Sequence, residues 1–193
     1  MRIVLTGPPG AGKGTQAKLI SDAFGVPHIS TGDLFRDNIS RRTTLGRQAK
    51  SYLDSGELVP SDVTVALVRD RLAHDDARHG FVLDGFPRTV EQAIALDDIL
   101  ASQLTQLVAA LDFVVDENEV VARMLARGRA DDTDEVIRTR LRIYNSENQP
   151  LLEYYAPIRL PVEAAGDVSA VHRRAVSGLG ERGALVSNRQ TQG

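Results

Sequence analysis

The sequence contains no cysteine. That excludes disulfides, thiolate metal sites and a cysteine nucleophile together, and it suits a reducing, cytoplasmic setting. No apolar run approaches the roughly 18 residues that a membrane-spanning helix needs. The start, Met1-Arg2-Ile3-Val4-Leu5-Thr6, breaks into Gly7-Pro8-Pro9-Gly10 too soon for a secretory signal peptide. Surplus positive charge is missing as well. With a formal net charge of −3 and a pI near 5.8, a basic surface for nucleic acid is not expected. The four histidines, His28, His74, His79 and His172, are scattered and read as structural or surface groups. Lysine is scarce too: only three of the 23 basic side chains are lysine, namely Lys13, Lys18 and Lys50.

What is present is an ordinary globular composition, 42% apolar and 25% charged. The 193 residues suit one domain with room for small insertions. Short apolar runs alternate with longer amphipathic stretches. Ile3-Val4-Leu5, Pro27–Ser30, Phe81-Val82-Leu83, Leu111–Val115 and Leu160–Ala164 read as strands. Helices are expected from Lys13 to Phe24, around Val63–Leu72, around Val120–Leu125 and from about Val136. Asp132 and Glu135 resemble a capping box, and Pro150 should end or kink the helix that follows. Continuous apolar strands separated by helices imply a parallel sheet covered on both faces, hence a doubly wound α/β sandwich. Two stretches interrupt this alternation. Residues 30–59 carry helical patterns and no strand, and residues 126–132 read as a short charged loop. From Ser177 onward, glycine and polar residues suggest a frayed tail, with 181–193 disordered.

The strongest chemical signal is Gly7-Pro8-Pro9-Gly10-Ala11-Gly12-Lys13-Gly14-Thr15. It follows an expected strand and opens an expected helix, as a P-loop requires. Glycines let successive backbone N–H groups curl around a phosphate, and the helix start adds unpaired donors and partial positive charge. Lys13 reaches the outer phosphates as a point charge. Gly14 stands where a P-loop usually has Ser or Thr, and the hydroxyl comes one place later at Thr15. A direct hydroxyl–Mg²⁺ bond is therefore not expected; phosphates and water would hold the ion.

Lys13-Gly14-Thr15-Gln16-Ala17 resembles the P-loop of nucleoside monophosphate kinases, and of adenylate kinases most closely. Ile29-Ser30-Thr31-Gly32-Asp33-Leu34, Asp84-Gly85-Phe86-Pro87-Arg88-Thr89 and Gly128-Arg129-Ala130-Asp131-Asp132-Thr133 extend the resemblance in order and at family spacing, to about Gly180. The Asp-Gly-Phe-Pro-Arg stretch is the most discriminating, since a generic P-loop protein has no reason to carry it. The resemblance implies a P-loop NTPase three-layer sandwich with a parallel central sheet. Its single kinase domain would span 1–180, with core segments 1–29, 60–125 and 133–180, a helical monophosphate-binding insertion at 30–59, and a short lid at 126–132 without zinc.

The resemblance also implies an activity: Mg²⁺-dependent, reversible transfer from ATP to AMP giving two ADP, by a cytoplasmic monomer serving adenine nucleotide homeostasis. Two polyanions then face each other. Each pair of unit charges 4 Å apart costs about 4 kcal/mol at an effective dielectric near 20. Cations must offset this, and no general base is needed, because the attacking AMP oxygen is already ionised. By resemblance Lys13, Arg88, Arg127, Arg129 and Arg140 are catalytic. ATP lies on Gly10, Ala11, Gly12, Lys13, Gly14 and Thr15, with Arg127 nearby, Arg123 stacked on adenine and Gly166 contacting the base through its backbone. AMP is gripped by Arg36, Arg88, Arg129 and Arg140. Its base is read by Thr31 and Gln92, in a pocket lined by Glu57, Leu58, Val59, Gly85, Phe86 and Pro87. Asp84 and Asp33 are candidates for holding Mg²⁺ through water, and Asp131 and Asp132 for latching the lid. A UMP or CMP acceptor stays open as an alternative, as does a nucleotide-binding switch, although a switch needs no second phosphate grip.

Overall fold

In the computed structural model of the chain, residues 1–129 and 133–190 are described, leaving aside the side chains of 117, 118, 127 and 183–190. Strands β1 (Arg2–Thr6), β2 (His28–Ser30), β3 (Phe81–Asp84), β4 (Ala109–Val114) and β5 (Arg159–Glu163) form a parallel sheet in the order β2-β3-β1-β4-β5. Central β1 pairs Leu5 with Asp84 on one side and with Leu111 on the other. The chain order reverses at β1, so the loop that follows it opens at the switch point where such sheets bind ligands.

The helices are α1 (Lys13–Phe24), α2 (Thr31–Ser40), α3 (Thr44–Ser55), α4 (Ser61–Leu72), α5 (Val90–Ser102), α6 (Glu117–Arg127), α7 (Asp134–Tyr154) and α8 (Val168–Gln190). Successive strand residues point to opposite faces, which divides the core in two. Val4, Ile29, Phe81 and Leu83 pack against Val68 and Leu72 of α4, Leu96 and Leu100 of α5, and Leu151 of α7. Ile3, Leu5, Val82 and Leu111 pack against Ala17 and Ile20 of α1 and Val171, Ala175 and Leu179 of α8. Each fully buried Leu, Ile or Phe there contributes about 1.5–3 kcal/mol of transfer free energy. The result is the expected three-layer α/β sandwich. Helices α2 and α3 have a small core of their own, Phe35, Ala49 and Val59, leaning on Val63 and Leu67 of α4. A fourth cluster, Val120, Met124, Ile137 and Leu141, joins α6 to α7.

Several local expectations change. Helix α5 is not among the expected elements; Thr89 caps it, accepting from Gln92 N, and Leu96, Ile99 and Leu100 bury its face. The cap of α7 is Thr133, whose hydroxyl accepts from Val136 N at 3.3 Å, rather than an Asp132–Glu135 box. Helix α7 also passes through Pro150 to Tyr154. An interior proline costs about 3 kcal/mol, and burial of Leu151, Leu152 and Tyr155 just beyond it opposes that cost. The frayed tail expected from Ser177 is helical instead, as far as Gln190. Leu179 is buried, Gly178 lies tight against Leu160, and Arg182 donates to the carbonyls of Val108 and Pro157 at 2.9 and 2.5 Å. The loop expected from Ala126 begins only after Arg127, at Gly128 with φ +65°.

Candidate active site

A cleft of about 1080 Å³ runs along the C-terminal ends of β1, β2 and β3 and over α1, between the α2–α3 insertion and the α6–α7 side. Single small-molecule pockets run to roughly 1,000 Å³, so this one lies at the upper limit for a single ligand.

One end is the loop after β1. Gly12 adopts φ +83° as the residue before α1, and among the described residues no side chain caps that helix. Its first N–H groups are therefore left to face an anion. Gly7 approaches β4 so closely that a Cβ there would lie 2.6 Å from the Phe113 carbonyl oxygen. Lys13 Nζ donates to the carbonyls of Gly7 and Pro8, each at 2.7 Å, which holds the ammonium over the cradle. Thr15 is exposed beside it. The loop residues from Gly10 to Thr15 all border the cleft.

Asp84 ends β3 beside the cradle. A Cβ on Gly14 would lie 3.4 Å from Asp84 Oδ2. His28 Nε2 stands 3.7 Å from the same oxygen. Burial pushes the Asp84 carboxyl up, but His28, Lys13 and Arg88 outweigh it and hold it below the usual carboxylate range. It is thus an ionised, hard oxygen donor facing the phosphate cradle, and its chemistry fits Mg²⁺ held through water. Asp33 differs. It ion-pairs with Arg36 in the next turn of α2 and is largely exposed, which commits it to that arginine. Among the described residues no group of three or more His, Asp or Glu is placed to hold a metal.

At the other end, side chains from separate elements converge. Arg88 Nε donates to the Gly85 carbonyl at 2.9 Å, and its backbone N–H donates to Gln92 Oε1 at 2.9 Å. Burial lowers the Arg88 pKa from its ordinary value; Asp84 opposes this, while Arg140 and Arg36 add to it. Arg88 is walled by protein yet open to water through the cleft. The positive charges of Arg140 and Arg36 thus act on Arg88, and an anion seated beside it would relieve that repulsion. Thr31 Oγ1 donates to the Gly85 carbonyl at 2.9 Å, and Gln92 is buried at 2% exposure. Glu57, Leu58, Val59 and Pro87 line this end. Phe86 is the exception: its side chain is wholly buried in the core, so it can offer the cleft only its backbone.

A sequence model of the adenylate kinase family matches residues 5–159. The adenylate kinase of Rhodococcus erythropolis (strain PR4 / NBRC 100887) is 60% identical over 181 residues, covering 94% of this chain and 100% of that protein. That of Nocardia farcinica (strain IFM 10152) is 58% identical over 180 residues, covering 93% and 99%. That of Mycobacterium sp. (strain MCS) is 57% identical over 180 residues, with the same coverage. The chain belongs to the adenylate kinase family.

The remaining adenylate kinase positions fall as follows. Arg123 on α6 borders the cleft, donating to Glu119 Oε1 at 2.5 Å and to the Ala164 carbonyl at 3.0 Å; Gly166 lies on the same wall. Arg129 and Arg140 line the cleft, and Arg140 reaches the Leu53 carbonyl at 3.5 Å. Asp131, Asp132 and the Arg127 side chain lie outside the described residues. Among the cleft residues that were not expected, three stand out. His28 belongs to the wall beside Asp84 rather than to a plain surface. Tyr144 of α7 lines the cleft, its phenol pushed up to about 12 by burial first and the Asp112 carboxylate second. Gln16 is buried one place beyond the loop. Of these, only Gln16 lies inside a motif that marked the region; His28 and Tyr144 reach the cleft through strand and helix placement. No helix of the described residues is long and apolar enough to cross a membrane.

Proposed function

We propose that the cleft holds two nucleotides end to end, ATP over the loop after β1 and AMP over the arginine-lined end. The reaction is that of the adenylate kinase family, ATP + AMP ⇌ 2 ADP. What carries the placement is the continuity of one cleft between a backbone phosphate cradle and a cluster of guanidinium groups.

ATP lies with its base between Arg123 and Gly166, a cation–π contact on one face, and its phosphates along Gly10–Thr15. Lys13 leaves the Gly7 and Pro8 carbonyls for the outer phosphate oxygens, which are stronger acceptors for an ammonium than a neutral carbonyl. AMP sits with its phosphate among Arg36, Arg88 and Arg140 and its base against Thr31, Gln92 and Glu57–Val59. Gln92 Oε1 is committed to Arg88 N, so the amide offers the adenine its Nε2 donors. The guanidinium groups offset the repulsion between the two phosphate chains and follow charge onto the transferring oxygens. The attacking AMP oxygen carries no proton at neutral pH, and none of the four histidines is required as a base.

Asp84 would hold Mg²⁺ through water, with His28 beside it; the ion would supply positive charge to offset that of the phosphates. The insertion at 30–59 and the lid at 126–132, bearing Arg127 and Arg129, close over the two nucleotides and exclude the water that would compete with AMP. The molecule works as a cytoplasmic monomer.

A coupled assay with ATP against AMP, UMP, CMP and GMP tests the acceptor assignment. AMP should be used at least about tenfold more efficiently than either pyrimidine nucleotide, since a site built to hydrogen-bond one base leaves polar groups unpaired with another. Equal use of UMP or CMP would displace Thr31 and Gln92 as base readers.

A further inference from the structure

Gln16 lies in the first turn of α1, one place beyond the phosphate loop, yet it is only 3% exposed. Its Nε2 donates to the Val168 carbonyl at 2.9 Å, across 152 positions of sequence. Reversing the amide would set oxygen against oxygen, so this orientation is the one that works. Its Oε1 is buried with no hydrogen-bond partner. A methionine would fill a similar volume without burying that orphan carbonyl. Packing alone therefore gives no reason for a glutamine here; the donor to Val168 does.

The segment that Gln16 reaches is the base-side wall around Gly166. Other side chains hold the same wall: Arg123 donates to the Ala164 carbonyl at 3.0 Å, and Arg174 to those of Glu163 and Ala165 at 2.8 Å each. Arg123 comes from α6 and Arg174 from α8 itself. Gln16 differs from both because it projects from α1, the helix whose start forms the cradle and carries Lys13.

We propose that Gln16 is a positioning residue that fixes the span between the phosphate cradle and the base wall at Gly166–Val168, so that one donor nucleotide engages both at once. This rests on the placement of the donor given above. The span matters only to a ligand that bridges it. ATP does so, bare tripolyphosphate reaches the cradle alone, and AMP at the arginine-lined end reaches neither wall.

The test compares Gln16→Met, of similar volume but with no donor, and Gln16→Glu, which keeps the shape but sets a carboxylate against the Val168 carbonyl. The readouts are KM for ATP, KM for AMP, inhibition by tripolyphosphate and the thermal midpoint. In Gln16→Met, KM for ATP should rise about 3–10-fold, the scale of one lost hydrogen bond, and in Gln16→Glu by more. KM for AMP and tripolyphosphate inhibition should stay within about twofold, and the Gln16→Met midpoint within a few degrees, on the same scale. An unchanged KM for ATP overturns the proposal. Equal weakening of ATP and tripolyphosphate overturns it too, making Gln16 part of the cradle. A collapsed midpoint with AMP weakened alongside ATP overturns it as well, reducing Gln16 to a core residue. If the unsubstituted protein binds tripolyphosphate as tightly as ATP, the base makes no contact, and the donor placement itself fails whatever the variants do.

Discussion

The two ends of the cleft differ in the groups they would offer to negative charge. At the cradle the donors are backbone N–H groups at the start of α1, and their geometry is fixed by glycines pressed against β4 and α6. At the proposed acceptor end they are long side chains from α2, the loop after β3 and α7, namely Arg36, Arg88 and Arg140. A backbone cradle is preorganised by the fold and tolerates little change in the residues that shape it. A side-chain cluster costs conformational entropy to order, and any one member can be removed without moving the backbone. The contrast suits the proposed chemistry: a rigid seat for the donor phosphates, and an adjustable grip of permanently charged guanidinium groups for the acceptor.

The largest expected effect falls on the adjustable end. Arg88→Ala should lower kcat by about 10²–10³, the usual loss for a charge-stabilising donor, while the thermal midpoint stays close to that of the parent. Undiminished ADP formation would remove Arg88 from the reaction. The rigid end should break the other way. At Gly10, φ is +87° and a Cβ would lie 2.8 Å from both Met124 Cγ and the Val120 carbonyl oxygen. Gly10→Ala should therefore destabilise by roughly 1–3 kcal/mol, the cost of overpacking, and weaken ATP binding with it. A melt and an ATP titration that both match the parent would show that the cradle yields more than its packing indicates.

Gln92 sharpens the comparison within the acceptor end. Gln92→Glu keeps an acceptor for Arg88 N but removes the Nε2 donors. KM for AMP should rise about tenfold, the scale of one or two lost hydrogen bonds, with KM for ATP little changed. The reverse pattern would exchange the two base sites. The smallest effect concerns pH. The Asp84 carboxyl is held below its ordinary value, so its contribution to stability is present above the unfolded carboxylate pKa and is lost as pH falls through the lower, folded value. Nucleotide-free Asp84→Asn should consequently show a flatter stability profile than the parent below about pH 4, near the unfolded aspartate pKa. Parallel acid-unfolding curves would contradict that coupling.

This division also governs what could be read from the sequence. The cradle is local: strand, glycines, Lys13 and helix are contiguous, and their spacing alone specifies the geometry. The sheet was legible for the same reason, because Ile3-Val4-Leu5 and Phe81-Val82-Leu83 are continuous apolar runs buried on both faces. The acceptor end is not local. Arg36, Arg88 and Arg140 come together only because α2, the loop after β3 and α7 all border one cleft, so resemblance to a family pointed to them where periodicity could not. Pro150 and the glycine-rich stretch after Ser177 misled because local propensity was outweighed by tertiary contacts, through Leu151 and Leu152 in one case and Leu179 and Arg182 in the other. His28 carried no motif: the β2–β3 register sets it opposite Val82, two residues from Asp84 on the same face, and its ring spans that offset to within 3.7 Å of the carboxylate.

The central claim is that one continuous cleft seats two nucleotides end to end. Calorimetry with a dinucleotide in which two adenosines are joined by five phosphates tests it most directly. One analogue molecule should bind per chain, exclude ATP and AMP together, and bind more weakly to both Arg88→Ala and Gly10→Ala. If AMP still bound with undiminished affinity to protein saturated with the analogue, the two seats would not be joined.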